Sequence, residues 1–262
     1  MSDAAAVELA PTLQCSTEEL TRARGRLTDP AWQPAVDPLR QQAEKLLADD
    51  APLPAMDTAW YDADPDRDYL ETYIPFHHFI DPATQLMQRA RTLSWAGLVL
   101  DDTACLDRAA EWLRHIAERA TFHVRHHDAG MDYAKMIVAM CETYACLRPR
   151  LDDEAHRRIA EQLRAAAEAM HAGTEHWLTH LSYMPYSNHL AFHRWGLMAV
   201  GCVLDDPALI DEAIDGPRGF GEVLAGATMD DGLCYESSTQ YHFATAGALV
   251  GMAELIRHRP GT

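Results

Sequence analysis

Residues 190–208 read LAFHRWGLMAVGCVLDDPA, an apolar run that ends in two aspartates and a proline. This ending recurs as Leu-Asp-Asp, any residue, Ala at 100–104, 151–155 and 204–208, with spacings of 51 and 53 residues. A looser copy at 47–50 lies 53 residues before the first. Regular spacing of this order is typical of helical repeat proteins, in which each repeat is one supersecondary unit.

The Leu-Asp-Asp sequence predicts where one helix ends and the next begins. Aspartate is a preferred N-cap residue because its carboxylate accepts hydrogen bonds from unpaired N–H groups of the first turn. We expect the second aspartate of each copy to cap the following helix. Pro207 then lies in the first turn, where its missing N–H costs nothing.

The helices on the two sides of each copy differ in polarity. The preceding runs, at 86–100, 134–147 and 190–204, are apolar nearly all round, whereas those at 104–119 and 154–171 carry charged faces. An apolar circumference indicates a buried helix, and a charged face indicates an outer one. The pattern predicts an all-α fold of helical hairpins with a repeat of about 52 residues, stacked as an α/α solenoid or, as we expect here, an α/α toroid.

The repeat also predicts the domain organisation. Residues 1–83 are expected to form short helices, near 18–26 and 38–48, and a long ordered loop at 51–82 that packs on the toroid. Residues 84–262 are expected to form the toroid and to carry any catalytic residues. Six hairpins of this length need roughly 310 residues. We therefore expect an incomplete ring, or one closed by a further C-terminal domain or by a second copy of the chain.

Composition narrows the class of partner. The net charge of −18 argues against binding to nucleic acid or to anionic membranes. No apolar run is long enough to span a bilayer, and the N-terminus lacks the basic and apolar segments of a signal peptide. The six cysteines lack metal-finger spacing, so we expect reduced thiols in the core.

Two helix starts carry the residues whose spacing suggests chemistry. Ser187, Asn188 and His189 open one apolar run, and Tyr241 lies 52 residues after His189 at the start of the next. At one repeat apart, these starts are predicted to lie on neighbouring inner helices, at the same rim of the ring and facing one cleft. The other candidates for substrate contact at this rim are His193, Arg194, His242, Glu236, His77, His78, His127, Tyr133 and Arg89.

A structural role for the same residues is also compatible with the sequence. In that case Asn188 is simply an N-cap, His189 and His193 are polar groups with satisfied hydrogen bonds, and Tyr241 is a core aromatic. Two histidine pairs, 176/180 and 189/193, have the i, i+4 spacing of helical metal ligands. Neither pair has the glutamate of a zinc protease motif, and no third ligand is obvious. We expect no catalytic metal and no cofactor.

The sequences SNHLAFHRWG at 187–196 and DDGLCYESSTQYHFAT at 230–245 resemble those of the heparinase II/III-like and alginate-lyase-like polysaccharide lyases. In these families an Asn-His pair opens one inner helix and a longer motif opens the next. The resemblance is good over 186–256, weaker over 84–185, and implies an N-terminal α/α toroid that a β-sandwich usually follows. The residues of the longer motif present here are Asp231, Gly232, Glu236, Ser238, Tyr241 and His242.

The resemblance implies cleavage of a uronate-containing acidic polysaccharide by β-elimination, which leaves an unsaturated uronate end. Asn188 and His189 would neutralise the substrate carboxylate and so make the C5 proton more acidic. Tyr241 would protonate the leaving oxygen and, on one face of the sugar, remove the C5 proton. For the other C5 configuration, His189 would be the base. A phenol with a pKa of about 10 needs a nearby positive charge for this, such as Arg194 or a protonated histidine.

The chain also departs from the family pattern. The usual Asn-Asn-His is Ser-Asn-His here, and the later His or Arg that the sandwich domain supplies has no counterpart. A glycoside hydrolase on the same architecture stays open, with carboxylates from Asp230, Asp231 and Glu236. So does a helical-repeat module that binds glycan without turnover. The sequence does not fix which uronate polymer is cut, nor whether cleavage is internal.

Overall fold

The computed structural model describes residues 7–56, 69–124, 128–181 and 183–257. Within these residues the regular structure is helical, and the only pairing of extended backbone is an isolated bridge between Thr228 and Cys234. The all-α prediction is therefore confirmed. The helices are α1 (Thr17–Gly25), α2 (Gln33–Leu47), α3 (Tyr69–Leu100), α4 (Thr103–Arg119), α5 (Ala129–Leu147), α6 (Asp153–His180), α7 (Asn188–Leu204), α8 (Pro207–Asp215), α9 (Phe220–Gly226) and α10 (Thr239–Ile256).

Four of the described helices form the inner layer of a toroid-like arrangement. Helix α3 packs on α5, α5 packs on α7, and α7 packs on α10. In α5 only Met131 and Lys135 are not fully buried, which agrees with an apolar circumference. The repeat of about 52 residues stays a prediction. Among the described helices, none is both long and apolar enough to cross a membrane.

The amphipathic helices form the outer layer. Helix α4 packs on α3 and α6, α6 packs on α5 and α7, and α8 packs on α7. Helix α6 buries Ala155, Ile159 and Leu163 at four-residue spacing, while Arg157 and Glu154 form an ion pair at the surface. The outer helices thus bury one stripe each and leave the inner layer to build the core.

The Leu-Asp-Asp turns work as predicted in two of the three copies. Asp102 caps α4 and Asp206 caps α8, each by accepting backbone N–H groups of the first turn. In the third copy the first aspartate, Asp152, caps α6 instead. The prediction that the second aspartate caps the following helix is wrong in this copy, because a 3-10 turn at Arg148–Arg150 follows α5 and shifts the start of the next helix.

The inner helices run parallel, as contacts at both of their ends show. Near the start of α7, the Asn188 backbone N–H donates to Glu236, just before α10. Near the end of α7, the Cys202 thiol lies 3.9 Å from the Leu255 carbonyl oxygen of α10. The N-terminal ends of the inner helices therefore meet at one rim. Matching contacts near the helix starts are His77 with Asp132 for α3 and α5, and Asp128 with His189 for α5 and α7.

An extended segment, residues 7–15, crosses the opposite rim, and we call it the N-terminal strap. Its first backbone N–H donates to Asp101, which follows α3, over 2.8 Å. The Gln14 side chain donates to Glu142 of α5 over 3.0 Å. Arg257, at the end of α10, donates to the Gln14 carbonyl over 2.8 Å. The strap therefore ties the ends of three inner helices together.

The prediction of a long loop at 51–82 is wrong for residues 69–82, which are helical. Helix α3 continues through Pro75 and Pro82, and buried apolar side chains hold this part against its neighbours. Residues 57–68 lie outside the described part of the chain. The predicted domain boundary after residue 83 falls inside α3, and the division into two domains stays a prediction. The buried side chains of this part are Phe76, Phe79, Ile80 and Ala83.

Candidate functional site

The start of α7 is bound to the loop that precedes α10. Ser187 is the N-cap, and its hydroxyl accepts the His189 backbone N–H over 3.3 Å. The Asn188 backbone N–H donates to Glu236 Oε2 over 2.7 Å. A carboxylate is favourable here because the N-terminus of a helix carries partial positive charge. Burial raises the pKa of Glu236, although hydrogen bonds from Asn188 and Ser187 oppose the shift.

His189 lies between a carboxylate and an indole ring. Its Nε2 is 3.6 Å from Asp128 Oδ1, and its side chain is 13% exposed. Its ring stacks on Trp177 with centroids 4.3 Å apart and planes inclined by 24°. The Trp177 indole N–H donates to the Met184 carbonyl over 3.1 Å, which fixes the indole. His189 therefore has a defined orientation at the rim.

A second group of charges lies on α3 and α5 at the same rim. His77 Nδ1 is 3.2 Å from Asp81, and its Nε2 is 3.7 Å from Asp132 Oδ2. Lys135 Nζ lies 2.9 Å from Asp132 Oδ1. Burial raises the pKa of Asp132, while the charges of Lys135 and His77 oppose the shift. His77 is thus at the rim as predicted, together with charged groups of both signs.

Tyr241 lies in the first turn of α10 with its side chain 45% exposed. The next residue, His242, accepts the Cys234 backbone N–H on Nδ1 over 3.2 Å and so holds the loop before α10 in place. His242 is therefore engaged in structure, whereas the Tyr241 ring faces solvent. His78 is exposed on α3. His127 lies outside the described residues.

His193 belongs to the core, although it was predicted to contact substrate. It is 1% exposed, and its Nδ1 lies 3.1 Å from the Thr174 hydroxyl. That hydroxyl already donates to the Met170 carbonyl, so Nδ1–H is the donor to Thr174. Burial, followed by the charges of His189 and Arg194, holds the pKa of His193 well below its usual range. His193 is a neutral packing residue beneath His189.

Arg194 is directed away from the rim, toward the outer layer. Its side chain is 3% exposed and donates to Glu212 of α8 over 3.0 Å and to the Pro217 carbonyl. Five residues along a helix turn a side chain by about 140°, so Arg194 cannot share the cleft with His189. The prediction that Arg194 contacts substrate, or supplies charge to Tyr241, is corrected.

Tyr133 and Arg89 are also placed outside the cleft. Tyr133 is fully buried, and its hydroxyl donates to the His123 carbonyl over 3.0 Å. Arg89 pairs with Asp49 and lies over the Trp112 ring of the outer helix α4, 5.0 Å from its centroid. Both side chains therefore stabilise packing, and their predicted role as substrate contacts is corrected.

Four residues of the rim were missed by the sequence reasoning: Asp128, Asp132, Lys135 and Trp177. Asp128 could have been found from the repeat, because it directly precedes α5 as Ser187 precedes α7. Its carboxylate does not cap α5 and is instead directed to His189. Trp177 gave no such signal, because it lies within the amphipathic pattern of an outer helix.

The described residues contain no group of three or more His, Cys, Asp or Glu side chains suited to a metal ion. The six cysteines are free thiols, and five of them are buried. Burial raises the pKa of Cys146 to about 12, so this thiol stays protonated and unreactive at neutral pH. The described residues of the rim carry imidazole, phenol, carboxylate and ammonium groups.

The sequence pattern of the alginate lyase family matches residues 37–260, most of the chain. No curated protein matches it. The family is one of polysaccharide lyases, so the chain is a carbon–oxygen lyase with a polysaccharide substrate, as the resemblance implied. The match does not extend to the heparinase II/III-like part of that resemblance. The chain therefore belongs to the alginate lyase family.

Proposed function

We propose that the chain cleaves a uronate-containing acidic polysaccharide by β-elimination at the rim where α7 and α10 begin. The observation that carries this proposal is the placement of an oriented imidazole and an exposed phenol on parallel, adjacent inner helices. His189 opens α7, and Tyr241 opens α10. The two side chains therefore lie at the same rim, where we propose that an imidazole and a phenol act on one sugar residue.

β-Elimination needs stabilisation of the negative charge that develops on C5 and its carboxylate. Where α7 begins, His189 and the N-terminus of the helix can supply positive charge for this. Asn188 is 4% exposed, and its backbone N–H binds Glu236. Its Oδ1 is buried without a hydrogen-bond partner among the described residues, so a substrate hydroxyl that reached it would satisfy an acceptor.

Tyr241 is proposed as the group that protonates the leaving glycosidic oxygen. With Arg194 engaged by Glu212, the basic side chains that the described residues place near the starts of α5 and α7 include His189, His77 and Lys135. Lys135 is on the neighbouring helix α5, and its Nζ lies 5.4 Å from the centre of the Phe192 ring of α7. Positive charge of this kind favours the phenolate that proton abstraction requires.

Two of the three acidic residues of the hydrolase alternative, Asp231 and Glu236, are engaged in local structure. Asp231 Oδ1 accepts the Leu233 backbone N–H over 2.9 Å and so closes the turn before α10. Glu236 is held by Asn188 at the start of α7. These carboxylates have structural partners, and the family match is to a lyase. Formation of a new double bond separates the two reactions, because hydrolysis creates none.

The test is ultraviolet absorbance of the conjugated, unsaturated uronate, measured with alginate, glucuronan, hyaluronan, chondroitin and heparin. We expect a rise with at least one polymer, and a loss of about 10²–10⁴-fold in rate for Tyr241→Phe. Tyr235→Phe is the matched control, since Tyr235 is also exposed, lies in the loop just before α10 and is expected to keep full activity. Unchanged turnover in Tyr241→Phe would overturn the proposal. Binding without turnover in the wild-type chain would support a glycan-binding module instead.

A further inference from the structure

Helices α1 and α2 each pack on α3, and a groove stays open between them. We call it the α1–α2 groove, and its volume of about 460 Å³ is in the range of ligand-binding pockets. Its polar side chains come from α1 and from the 3-10 turn at Pro30–Trp32, which precedes α2. Its apolar lining is formed by Leu27, Val36, Leu39 and Val99. The groove thus combines an apolar surface with a few polar groups, as binding sites for small molecules do.

Trp32 lines this groove and is unusually open to solvent for a tryptophan, at 43% exposed. The Arg26 guanidinium lies over its ring, 4.7 Å from the centroid. Within the described part of the chain the indole N–H has no hydrogen-bond partner, whereas an indole that is used in packing usually has one. Trp32 therefore offers a ring surface and a hydrogen-bond donor to a molecule in the groove.

Arg22 and Arg26 also line the groove, one helical turn apart along α1. Side chains of like charge at this spacing repel each other, so the fold gains little from the pair. Neither forms an ion pair with a carboxylate of the described residues. Arg24 on the same helix differs, because it donates to the Leu98 carbonyl over 2.6 Å and pairs with Asp101. Arg24 therefore stabilises packing, whereas Arg22 and Arg26 leave two cations for an anionic group.

The carboxylates that the described residues place near these arginines are engaged elsewhere. Glu19 Oε2 accepts the Ser16 backbone N–H over 2.8 Å, as part of the capping box of α1, and its Oε1 is 3.7 Å from Arg257. Asp29, at the start of the 3-10 turn, accepts the Ala31 backbone N–H over 2.9 Å. Although the chain has a net charge of −18, the groove can therefore attract an anion.

We propose that the α1–α2 groove is a second binding site for acidic polysaccharide, in which a uronate ring packs on Trp32 and its carboxylate binds Arg22 and Arg26. The choice of polymer rests on the proposed lyase function. The charges favour this occupant, because a guanidinium matches a carboxylate in shape and can donate two parallel hydrogen bonds to it. The C–H face of a pyranose is apolar and fits an indole face, while its hydroxyls can accept the indole N–H.

The groove is remote from the rim at which α7 and α10 begin. It contains Val99, in the last turn of α3, whereas His77 of the same helix lies at the rim. These residues are 22 positions apart, which is about 33 Å along a helix. A long polymer can occupy both sites, and its second contact then forms at a high effective concentration. A trisaccharide is too short to reach both, so the groove should strengthen the binding of polymer but not that of short substrates.

Binding in the groove can be measured without turnover, by NMR of the tryptophan indole N–H groups. In 15N-labelled Tyr241→Phe, the Trp32 signal is assigned by its loss in Trp32→Phe, and a trisaccharide prepared from alginate is added. We expect the Trp32 signal to shift, and the Kd measured from it to rise about tenfold in Arg22→Gln. Arg164→Gln is the matched control, because Arg164 is also exposed on a helix, and it should leave Kd unchanged. An unmoved Trp32 signal, or an equal Kd in Arg22→Gln, would overturn the proposal.

The role in polymer binding is then measured by kinetics on two lengths of substrate. In the active chain, Trp32→Ala should raise KM for long alginate about tenfold and leave kcat/KM for short oligosaccharides unchanged. An unchanged KM for long alginate, or an equal loss on both substrates, would refute a second polymer site. A dimer that Trp32→Ala dissociates in size-exclusion chromatography would assign the groove to a second copy of the chain and refute it too. If the wild-type chain cleaves no polymer, the proposed function fails, while the NMR titration still decides whether the groove binds a uronate.

Discussion

Replacing Gly130 by alanine should destabilise the protein, although alanine is the better helix former. Gly130 lies in the first turn of α5, directly against the buried His193 ring of α7. A Cβ at this position would lie 2.3 Å from His193 Nε2 and 2.9 Å from two ring carbons. Such a distance is well inside van der Waals contact, so the ring or the helix has to move.

The ring has little room to retreat. On the α6 side, Gly173 is so close that a Cβ there would lie 3.2 Å from His193 Cε1. The Thr174 hydroxyl holds Nδ1 from the same side over 3.1 Å. Overpacking of a tight core costs about 1–3 kcal/mol, and alanine regains up to about 1 kcal/mol of helix propensity. We therefore expect a net loss of about 1–2 kcal/mol in the free energy of unfolding.

The measurement is urea unfolding followed by circular dichroism, with the midpoint and slope compared between variants. Gly247→Ala is the matched control, since Gly247 is also helical and its Cβ would meet nothing within 4 Å. That variant should be as stable as the wild type or gain up to about 1 kcal/mol. If Gly130→Ala proved as stable as Gly247→Ala, the close packing of α5 on His193 would be refuted.

Three further substitutions test other parts of the structure. Arg194→Ala should lower the free energy of unfolding by about 1.5–3 kcal/mol, the usual range for a lost charged hydrogen bond, and leave KM unchanged; a raised KM with full stability would return Arg194 to the cleft. Burial raises the pKa of Glu142, so the folded state binds its proton more tightly and stability falls as pH rises above the unfolded pKa of about 4.3. Denaturation at several pH values should therefore show Glu142→Gln gaining on the wild type as pH rises, and a constant difference would contradict this. Asp152→Ala should cost about 1 kcal/mol as a lost N-cap, whereas Asp153→Ala should cost clearly less; thermal unfolding of the pair decides which aspartate caps α6.

The parts of the fold that the sequence predicted are those set by short-range interactions. Helices α1 and α2 lie within one to five residues of their predicted ends, and Asp102 and Asp206 cap as expected. The start of α3 is not predicted from the sequence, because the prolines and acidic residues at 51–82 favour a loop. Burial of Phe76 and its neighbours outweighs the hydrogen bonds that Pro75 and Pro82 cannot donate.

The sequence predicts candidate residues at the two helix starts, but it does not predict how the residues beneath them pack. His189 and Tyr241 follow from the repeat, since the period alone places them at one rim. The helical period of α7 is enough to predict that the Arg194 side chain points outward. The burial of His193 could not be predicted from the sequence, because it depends on Gly130 and Gly173 from two other helices. Long-range packing of this kind leaves no local pattern in the sequence.

The N-terminal strap has a consequence for the order in which the chain acquires its structure. The bond between Arg257 and Gln14 joins residues 243 positions apart. During synthesis the chain emerges N-terminus first. The N-terminal strap therefore cannot bind Arg257, its last hydrogen-bond partner, until α10 has been made. Contacts of such high sequence separation are slow to form. The hairpins can therefore assemble one after another, while closure of the far rim is left to the end of folding, and a nascent chain keeps that side of its core open to chaperones.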